Sequence, residues 1–145
     1  MPRKSNVELG LSLYIQAGLA AMTPPVIAPG GFLSKLPKDQ ISASAPMAFG
    51  YQTIASPIDY SLEGAGWTIW HVQIDCYGFG PTAAASMALA NAIDAILRPG
   101  FSGRFADPGE TLVFQIHRLD QKDGFSDANR SFVRSLDYSI SYQQV

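Results

Sequence analysis

Hydrophobic and polar positions alternate with a period of two over residues 67–77 and again over residues 132–142. Successive side chains of a β-strand point to opposite faces of its sheet, so each stretch predicts a strand with one covered face. In the first strand Trp70, Val72, Ile74 and Cys76 are predicted to face the core, and His71, Gln73 and Asp75 to face away. In the last strand the core-facing residues are Phe132, Leu136, Tyr138, Ile140 and Tyr142.

Two shorter stretches predict further strands. Residues 46–56 place Met47, Phe49 and Tyr51 on one face. Residues 111–120 place Leu112, Phe114 and Ile116 on one side. Together with the two clearer strands, these stretches predict four strands in all.

Two other stretches have the spacing of an amphipathic helix. Residues 6–22 begin with a capping box, Ser5 and Glu8, and end at Thr23-Pro-Pro25, because proline cannot donate a backbone hydrogen bond. The apolar stripe of this helix is Leu11, Ile15, Leu19 and Met22. Residues 81–97 form the second helix, which opens with Pro81 and ends at Arg98-Pro-Gly100. Its stripe is Leu89, Ile93, Ile96 and Leu97.

The remaining segments show neither period. Residues 23–45 and 101–110 are rich in proline and glycine, residues 56–66 form a turn-rich linker, and residues 121–130 form a polar hairpin loop. The fold class that follows is α+β. We expect an antiparallel four-stranded sheet packed by two main helices, in the order α-β-β-α-β-β, with long Pro/Gly-rich loops. The 145 residues suit a single domain, 1–145.

Composition and charge narrow the class of protein. With 47% hydrophobic and 15% charged residues, the chain is expected to be soluble and globular, and its apolar runs are too short to cross a bilayer. The N-terminus lacks the pattern of a signal peptide, which predicts cytoplasmic synthesis. A formal net charge of -2 gives no general attraction to nucleic acid or anionic membrane.

Gly78-Phe-Gly80-Pro-Thr-Ala83 imitates the dinucleotide fingerprint between a strand and a helix. Pro81, however, removes a backbone donor from the phosphate cradle, and no second parallel strand with a ribose-binding acid follows. We therefore interpret the motif as a tight turn that leads into a helix. The single cysteine, Cys76, alternates with Val72 and Ile74, so it is predicted to be a core residue and not a nucleophile.

A metal or acid–base site is a second chemical alternative. His71, Asp75 and His117 could share the polar face of one sheet, and two imidazoles with a carboxylate can hold a metal ion. The histidines lie on different predicted strands without a recognisable ligand spacing. Polar side chains on an uncovered sheet face are also expected without any site, so the sequence predicts no catalytic residue, no metal and no cofactor.

The order of elements resembles the tail-completion or tail-terminator proteins, which join head and tail in long-tailed bacteriophages and gene-transfer particles. The resemblance covers nearly the whole chain. It rests on patterns: the helix at Glu8-Leu-Gly-Leu-Ser-Leu-Tyr14, the proline-rich loop, Pro46 opening a strand, and an alanine-rich helix between two further motifs. Those two motifs are Val72-Gln-Ile-Asp-Cys-Tyr77 and Leu136-Asp-Tyr-Ser-Ile-Ser-Tyr142.

The resemblance implies a structural virion protein and not an enzyme. Such a protein is assembled in the cytoplasm of a bacterial host and forms a homo-hexameric ring on the head-proximal end of the tail tube. The ring ends tube polymerisation and offers a docking surface to the head connector or stopper. DNA passes through its lumen without sequence-specific binding. A connector adaptor or stopper ring, and a small metal-dependent enzyme, remain alternatives.

Hydrophobic side chains in the predicted loops are the candidates for contacts with neighbouring subunits, tube or connector, because apolar residues outside a core often serve interfaces. The candidate interface residues are Phe32, Leu33, Leu36, Phe101, Phe105 and Phe125.

Overall fold

The computed structural model describes residues 7–23, 26, 28, 32–33, 46–62, 65–80, 82–98, 102–107, 110–126 and 131–143. Within these ranges there are two helices and six strands. In chain order they are α1 (Val7–Ala20), β1 (Phe32–Leu33), β2 (Met47–Leu62), β3 (Ala65–Phe79), α2 (Ala84–Leu97), β4 (Gly103–Arg104), β5 (Leu112–Ser126) and β6 (Ser131–Gln143).

The described strands form one sheet in the order β1-β2-β3-β6-β5-β4. β1 runs parallel to β2, and all other neighbours are antiparallel. The predicted four-stranded sheet in the order α-β-β-α-β-β is therefore wrong: the order is α-β-β-β-α-β-β-β. The additional strands, β1 and β4, have two residues each and come from the Pro/Gly-rich segments. Two residues are too few for a period of two to be visible in the sequence.

Two predicted connections are also parts of strands. The turn-rich linker 56–66 belongs mostly to the β2–β3 hairpin, whose last described pair is Leu62 with Ala65. Residues 121–126 of the predicted polar loop belong to β5. Pro57 interrupts the strand pattern of β2 in the sequence. It lies in a register shift between Ala55 and Ile58, where the ladder does not require the amide hydrogen that proline lacks.

Both helices cover the same face of the sheet. Six of the eight predicted stripe residues, Leu11, Ile15 and Leu19 of α1 and Leu89, Ile93 and Leu97 of α2, are at most 2% exposed. The other two, Met22, which lies beyond the end of α1, and Ile96, are partly buried against the same core. The stripe residues meet the predicted core residues of β3 and β6, which are also buried with the exception of the half-buried Phe132. Gly78 allows α2 to approach β3 closely, since a Cβ there would lie 2.1 Å from the backbone nitrogen of Ser86.

The predicted core face of β5, which consists of Leu112, Phe114 and Ile116, is wrong at Phe114. A register shift separates Val113 from Gln115, so the strand does not alternate regularly. Val113 and Ile116 are buried, whereas Phe114 is 50% exposed. A β-bulge adds one residue to a strand and thereby changes which side chains face the core.

Candidate functional site

The sheet has a second face, against which no described helix packs. We call it the helix-free face, and it carries the alternate residues of the four long strands. Its centre is polar. The residues that form this centre are Gln52, His71, Gln73, Asp75, Ser135, Asp137, Ser139, His117, Asp120 and Lys122.

Asp75 accepts three side-chain hydrogen bonds on the helix-free face. It is 6% exposed. Ser135 Oγ donates to its Oδ1 over 2.6 Å, and Gln73 Nε2 donates to the same atom over 2.7 Å. Gln52 Nε2 donates to Oδ2 over 3.3 Å. A buried carboxylate needs such donors to offset the loss of water, so this network ties β2, β3 and β6 together.

Asp137 lies beside this network, opposite Gln73 on β3 and opposite Asp120 on β5. Its Oδ1 is buried and has no hydrogen-bond partner among the described residues. Burial raises the pKa of Asp137, and the charges of Asp120 and Asp75 raise it further, against a lowering by Lys122. The ionised form of this carboxyl is therefore disfavoured by the fold.

The proposed metal or acid–base residues are not gathered into one site. His71 and His117 each pair with Ser139 and so lie on either side of it. Asp75 lies four residues further along β3. Among the described residues, no group of three or more His, Cys, Asp or Glu side chains could hold a metal ion.

The other two chemical motifs have structural roles. Cys76 is fully buried in the core, and burial, with the charge of Asp75, raises the pKa of its thiol well above its ordinary value. The glycine motif is a strand-to-helix turn, in which Gly80 adopts a φ of 141°. The backbone of α2 fills the space beside Gly78, which leaves no room there for a phosphate.

A second polar network lies between α2 and the covered face of the sheet. Asp94 is 6% exposed and accepts hydrogen bonds from Tyr138 Oη and Arg98 Nε, each over 2.7 Å. Arg118 Nη1 lies 3.5 Å from Asp94 Oδ2. Burial alone would raise the pKa of Asp94, but the hydrogen bonds and the two arginine charges lower it below its ordinary value. These interactions stabilise the ionised carboxylate at the helix–sheet junction.

The candidate interface residues have different positions. Phe125 is 54% exposed near the end of β5, and its ring meets Phe132 edge to face with centroids 5.2 Å apart. Phe105 is 2% exposed and stacks on Tyr14, so the surface role predicted for it is not available in the folded protomer. Phe32 and Leu33 form β1, and the structure describes only their backbone. Leu36 and Phe101 lie outside the described residues.

Several exposed hydrophobic side chains are not among the residues predicted from the sequence, because they all lie in predicted strands and not in predicted loops. Ile54, Phe114 and Leu119 are each 50% exposed, and Trp67 is 39% exposed. Trp67 and Phe114 border a groove of about 620 Å³, which is also lined by Ser102, Gln115 and Ser141. A signal in the sequence is the lost alternation at Leu112-Val113-Phe114, where three apolar residues adjoin within a strand.

No family model matches the chain, and no curated protein matches it. A solved chain described as "Virion of native gene transfer agent (GTA) particle" is similar to it, with a TM-score of 0.61 and 14% sequence identity. The match covers 93% of this chain and 94% of that chain. At this identity the likeness establishes a shared fold. In the part of the chain that the structure describes, neither helix could span a membrane.

Proposed function

We propose that this protein is a structural component of a phage-like or gene-transfer particle, with no catalytic activity. In this proposal six copies form a ring on the head-proximal end of the tail tube. The ring ends tube polymerisation and presents a docking surface to the head connector or stopper. DNA passes through the lumen without sequence-specific contacts, in keeping with a net charge of -2.

The observation that carries the proposal is the fold shared with a chain of a gene transfer agent virion over 93% of this chain. The surface supports it independently. Among the described residues, six large hydrophobic side chains outside the helices are 37–54% exposed, namely Ile54, Trp67, Phe79, Phe114, Leu119 and Phe125. Monomeric proteins rarely leave extended apolar surface uncovered. Such side chains suit contacts that are completed only in an assembly.

Of the candidate interface residues, Phe32, Leu33, Leu36, Phe101 and Phe125 remain in the proposal as contacts with neighbouring subunits, tube or connector. Phe105 is replaced by the exposed residues of β2 and β5, because a side chain at 2% exposure cannot reach a partner without unfolding. The polar network around Asp75 keeps the sheet in register and has no chemical step assigned to it.

A second candidate is an adaptor or stopper ring of the same head–tail junction. It would share the fold and the exposed hydrophobic side chains, but it would bind the portal side and would not end tube growth. The metal-dependent enzyme is the weaker alternative, because His71, Asp75 and His117 do not converge. Elemental analysis of the purified protein tests it directly, since bound stoichiometric transition metal would support it.

Electron microscopy of particles assembled with and without the protein tests the proposed function. Without it we expect overlong tubes or tailless heads, and with it a density of six-fold symmetry, or three-fold after pairing of subunits, at the tube end. Normal tube length combined with heads that fail to join would favour the adaptor or stopper. Any other symmetry at that position would contradict the ring.

The same assay can be made specific to residues. Changing Phe32, Leu33 and Leu36 together to serine should leave a folded protein that fails to cap tails, because buried interface anchors each contribute about 2 kcal/mol or more. Met87→Ser, at a 39% exposed position on α2, is the matched control and should cap normally. Loss of the cooperative thermal transition in the triple variant would place these residues in the core.

A further inference from the structure

A small pocket lies where the end of α2 meets β5. The described residues that line it are Arg98, Ile116, His117 and Arg118, and its volume is about 230 Å³. Arg98 is the C-cap residue of α2, and the other three are consecutive residues of β5. The side chain of Arg98 is 64% exposed and that of Arg118 is 32% exposed, so both can be reached from solvent. We call this site the arginine pocket.

Asp94 holds the two guanidinium groups of the arginine pocket next to each other. Its Oδ1 accepts a hydrogen bond from Tyr138 Oη, and its Oδ2 accepts one from Arg98 Nε. Both oxygens of this buried carboxylate therefore have a close donor before Arg118 is counted. Arg118 Nη1 lies 3.5 Å from Oδ2, which is at the limit for a hydrogen bond. Arg118 is thus not needed to satisfy Asp94.

Several donors of the two arginines are not used within the described part of the chain. A guanidinium group has five N–H donors. Arg118 uses Nη1 for Asp94 and Gln121, and its Nε and Nη2 have no acceptor among the described residues. The same is true of Nη1 of Arg98, whose Nε and Nη2 both contact Asp94. Two guanidinium charges lie within 3.5 Å of one carboxylate oxygen, so one positive charge is in excess. A second anion at this site would be attracted to that excess charge.

The size and charge of the pocket indicate which anion fits. Sites for small organic molecules usually measure about 300–1,000 Å³, so 230 Å³ suits a single anionic group better than a nucleotide. One excess positive charge matches the single negative charge of a carboxylate, and the fork of an arginine matches its two oxygens. Nucleic acid requires many phosphate contacts, whereas the next arginine along the chain that the structure describes, Arg134, is already paired with Asp123.

We propose that the arginine pocket binds the side-chain carboxylate of an Asp or Glu residue of a protein partner, between Arg98 and Arg118. Asp94 is a positioning residue, because it keeps the two guanidinium groups together without contacting the partner. The buried Ile116 forms an apolar wall, beside which charge-assisted hydrogen bonds are stronger than in water. This inference deepens the proposed function and rests on it for the identity of the partner, a protein at the tail end, but not for the chemistry of the pocket.

Titration of the full-length protein with sodium acetate tests the pocket, with the Nε–Hε resonances of the arginines followed by NMR. Sodium chloride at equal ionic strength corrects for screening. We expect saturable shifts at Arg98 and Arg118 and no change at Arg134, whose guanidinium is occupied by Asp123. Arg118→Gln should weaken acetate binding about tenfold, as expected for the loss of one hydrogen bond to a charged group. Arg134→Gln is the matched control and should bind acetate as the wild type does.

The partner is tested in particles. Arg118→Gln should keep the melting temperature of the wild type, because it removes only a long contact to Asp94. It should nevertheless enter particles less efficiently than the wild type, whereas Arg134→Gln should enter them normally. Incorporation is measured as the amount of the protein in purified particles.

Three results would overturn the inference. Shifts that do not saturate, or that are equal at Arg134, would show that acetate acts only through the ionic atmosphere. Tighter binding of inorganic phosphate or of a short single-stranded DNA than of acetate would show a phosphate site. Normal incorporation of Arg118→Gln would exclude a protein partner at this pocket. Acetate binding by a protein that is absent from tail ends would refute the proposed function alone, and capped tails without an acetate response would refute the arginine pocket alone.

Discussion

The two faces of this sheet are built from the same strands but are stabilised in different ways. The helix-covered face buries aliphatic and aromatic side chains almost completely, and the buried carboxylate of Asp94 above it is held by Tyr138 and two arginines. The helix-free face has a polar centre, in which Asp75 is fully hydrogen-bonded while Asp137 has a buried oxygen without a described partner. The helix-covered face thus supplies the hydrophobic core, whereas the helix-free face contains a carboxyl, Asp137, whose ionisation is unfavourable in the folded protein.

The difference separates stability from assembly. Large effects on folding are expected on the covered face, where a substitution leaves a cavity or a buried charge. On the helix-free face and the outer edges, exposed side chains contribute little to the protomer. The exposure of the large hydrophobic side chains among them suits contacts that the protomer alone does not make.

The sharpest test of this contrast uses adjacent regions of one strand. Ile74 is 0% exposed, so Ile74→Asp would bury an unpaired charge and should cost more than about 5 kcal/mol, enough to unfold the protein. His71→Ala, on the helix-free face, should cost under about 1 kcal/mol. Urea denaturation followed by circular dichroism gives both values. If the two variants melt alike, the assignment of the faces of β3 is incorrect.

A second test compares two glycines in strands. A Cβ at Gly78 would collide with the backbone of α2, whereas a Cβ at Gly124 meets nothing within 4 Å. Gly78→Ala should therefore displace the helix and destabilise the protein by about 3 kcal/mol. Gly124→Ala should change stability by less than about 0.5 kcal/mol. Equal melting temperatures for the two variants would mean that α2 does not pack closely against β3 at Gly78.

The third test removes one hydrogen bond from Asp94. Tyr138→Phe should cost about 2 kcal/mol at neutral pH, since the tyrosine donates to a buried charged group. The folded-state pKa of Asp94 is lowered, so its contribution is present above the unfolded pKa and is lost as pH falls through the folded pKa. The difference between wild type and variant should accordingly shrink in acid. A difference that is independent of pH would show that Asp94 is not the partner that matters.

Some of these strands and helices can be predicted from the sequence, and others cannot. The faces of β3 and β6 and both helical stripes could be predicted, because regular alternation and helical spacing are local properties. β1, β4 and the bulges at Ile54, Phe114 and Leu119 could not, because they depend on pairing with strands distant in the chain. The interface candidates predicted from the sequence all lie in predicted loops for the same reason. Of the exposed residues that the structure adds, Ile54, Phe114 and Leu119 lie where a strand departs from its period.

The smallest expected effect is a gain in stability on the helix-free face. Burial and the neighbouring aspartates raise the folded-state pKa of Asp137. A raised carboxyl pKa means that folding is favoured below the unfolded pKa and that this advantage is lost as pH rises through the folded pKa. Asp137→Asn removes the ionisation and should stabilise the protein at neutral pH by up to about 1 kcal/mol, with no gain in acid.

Asp120→Asn, at the exposed position opposite, should gain less. Thermal melts of the wild type and both variants, from acid to neutral pH, measure these differences in stability. A loss of stability in Asp137→Asn at neutral pH would mean that the ionised carboxylate has a favourable partner, and the contrast between the two faces would then not extend to their carboxylates.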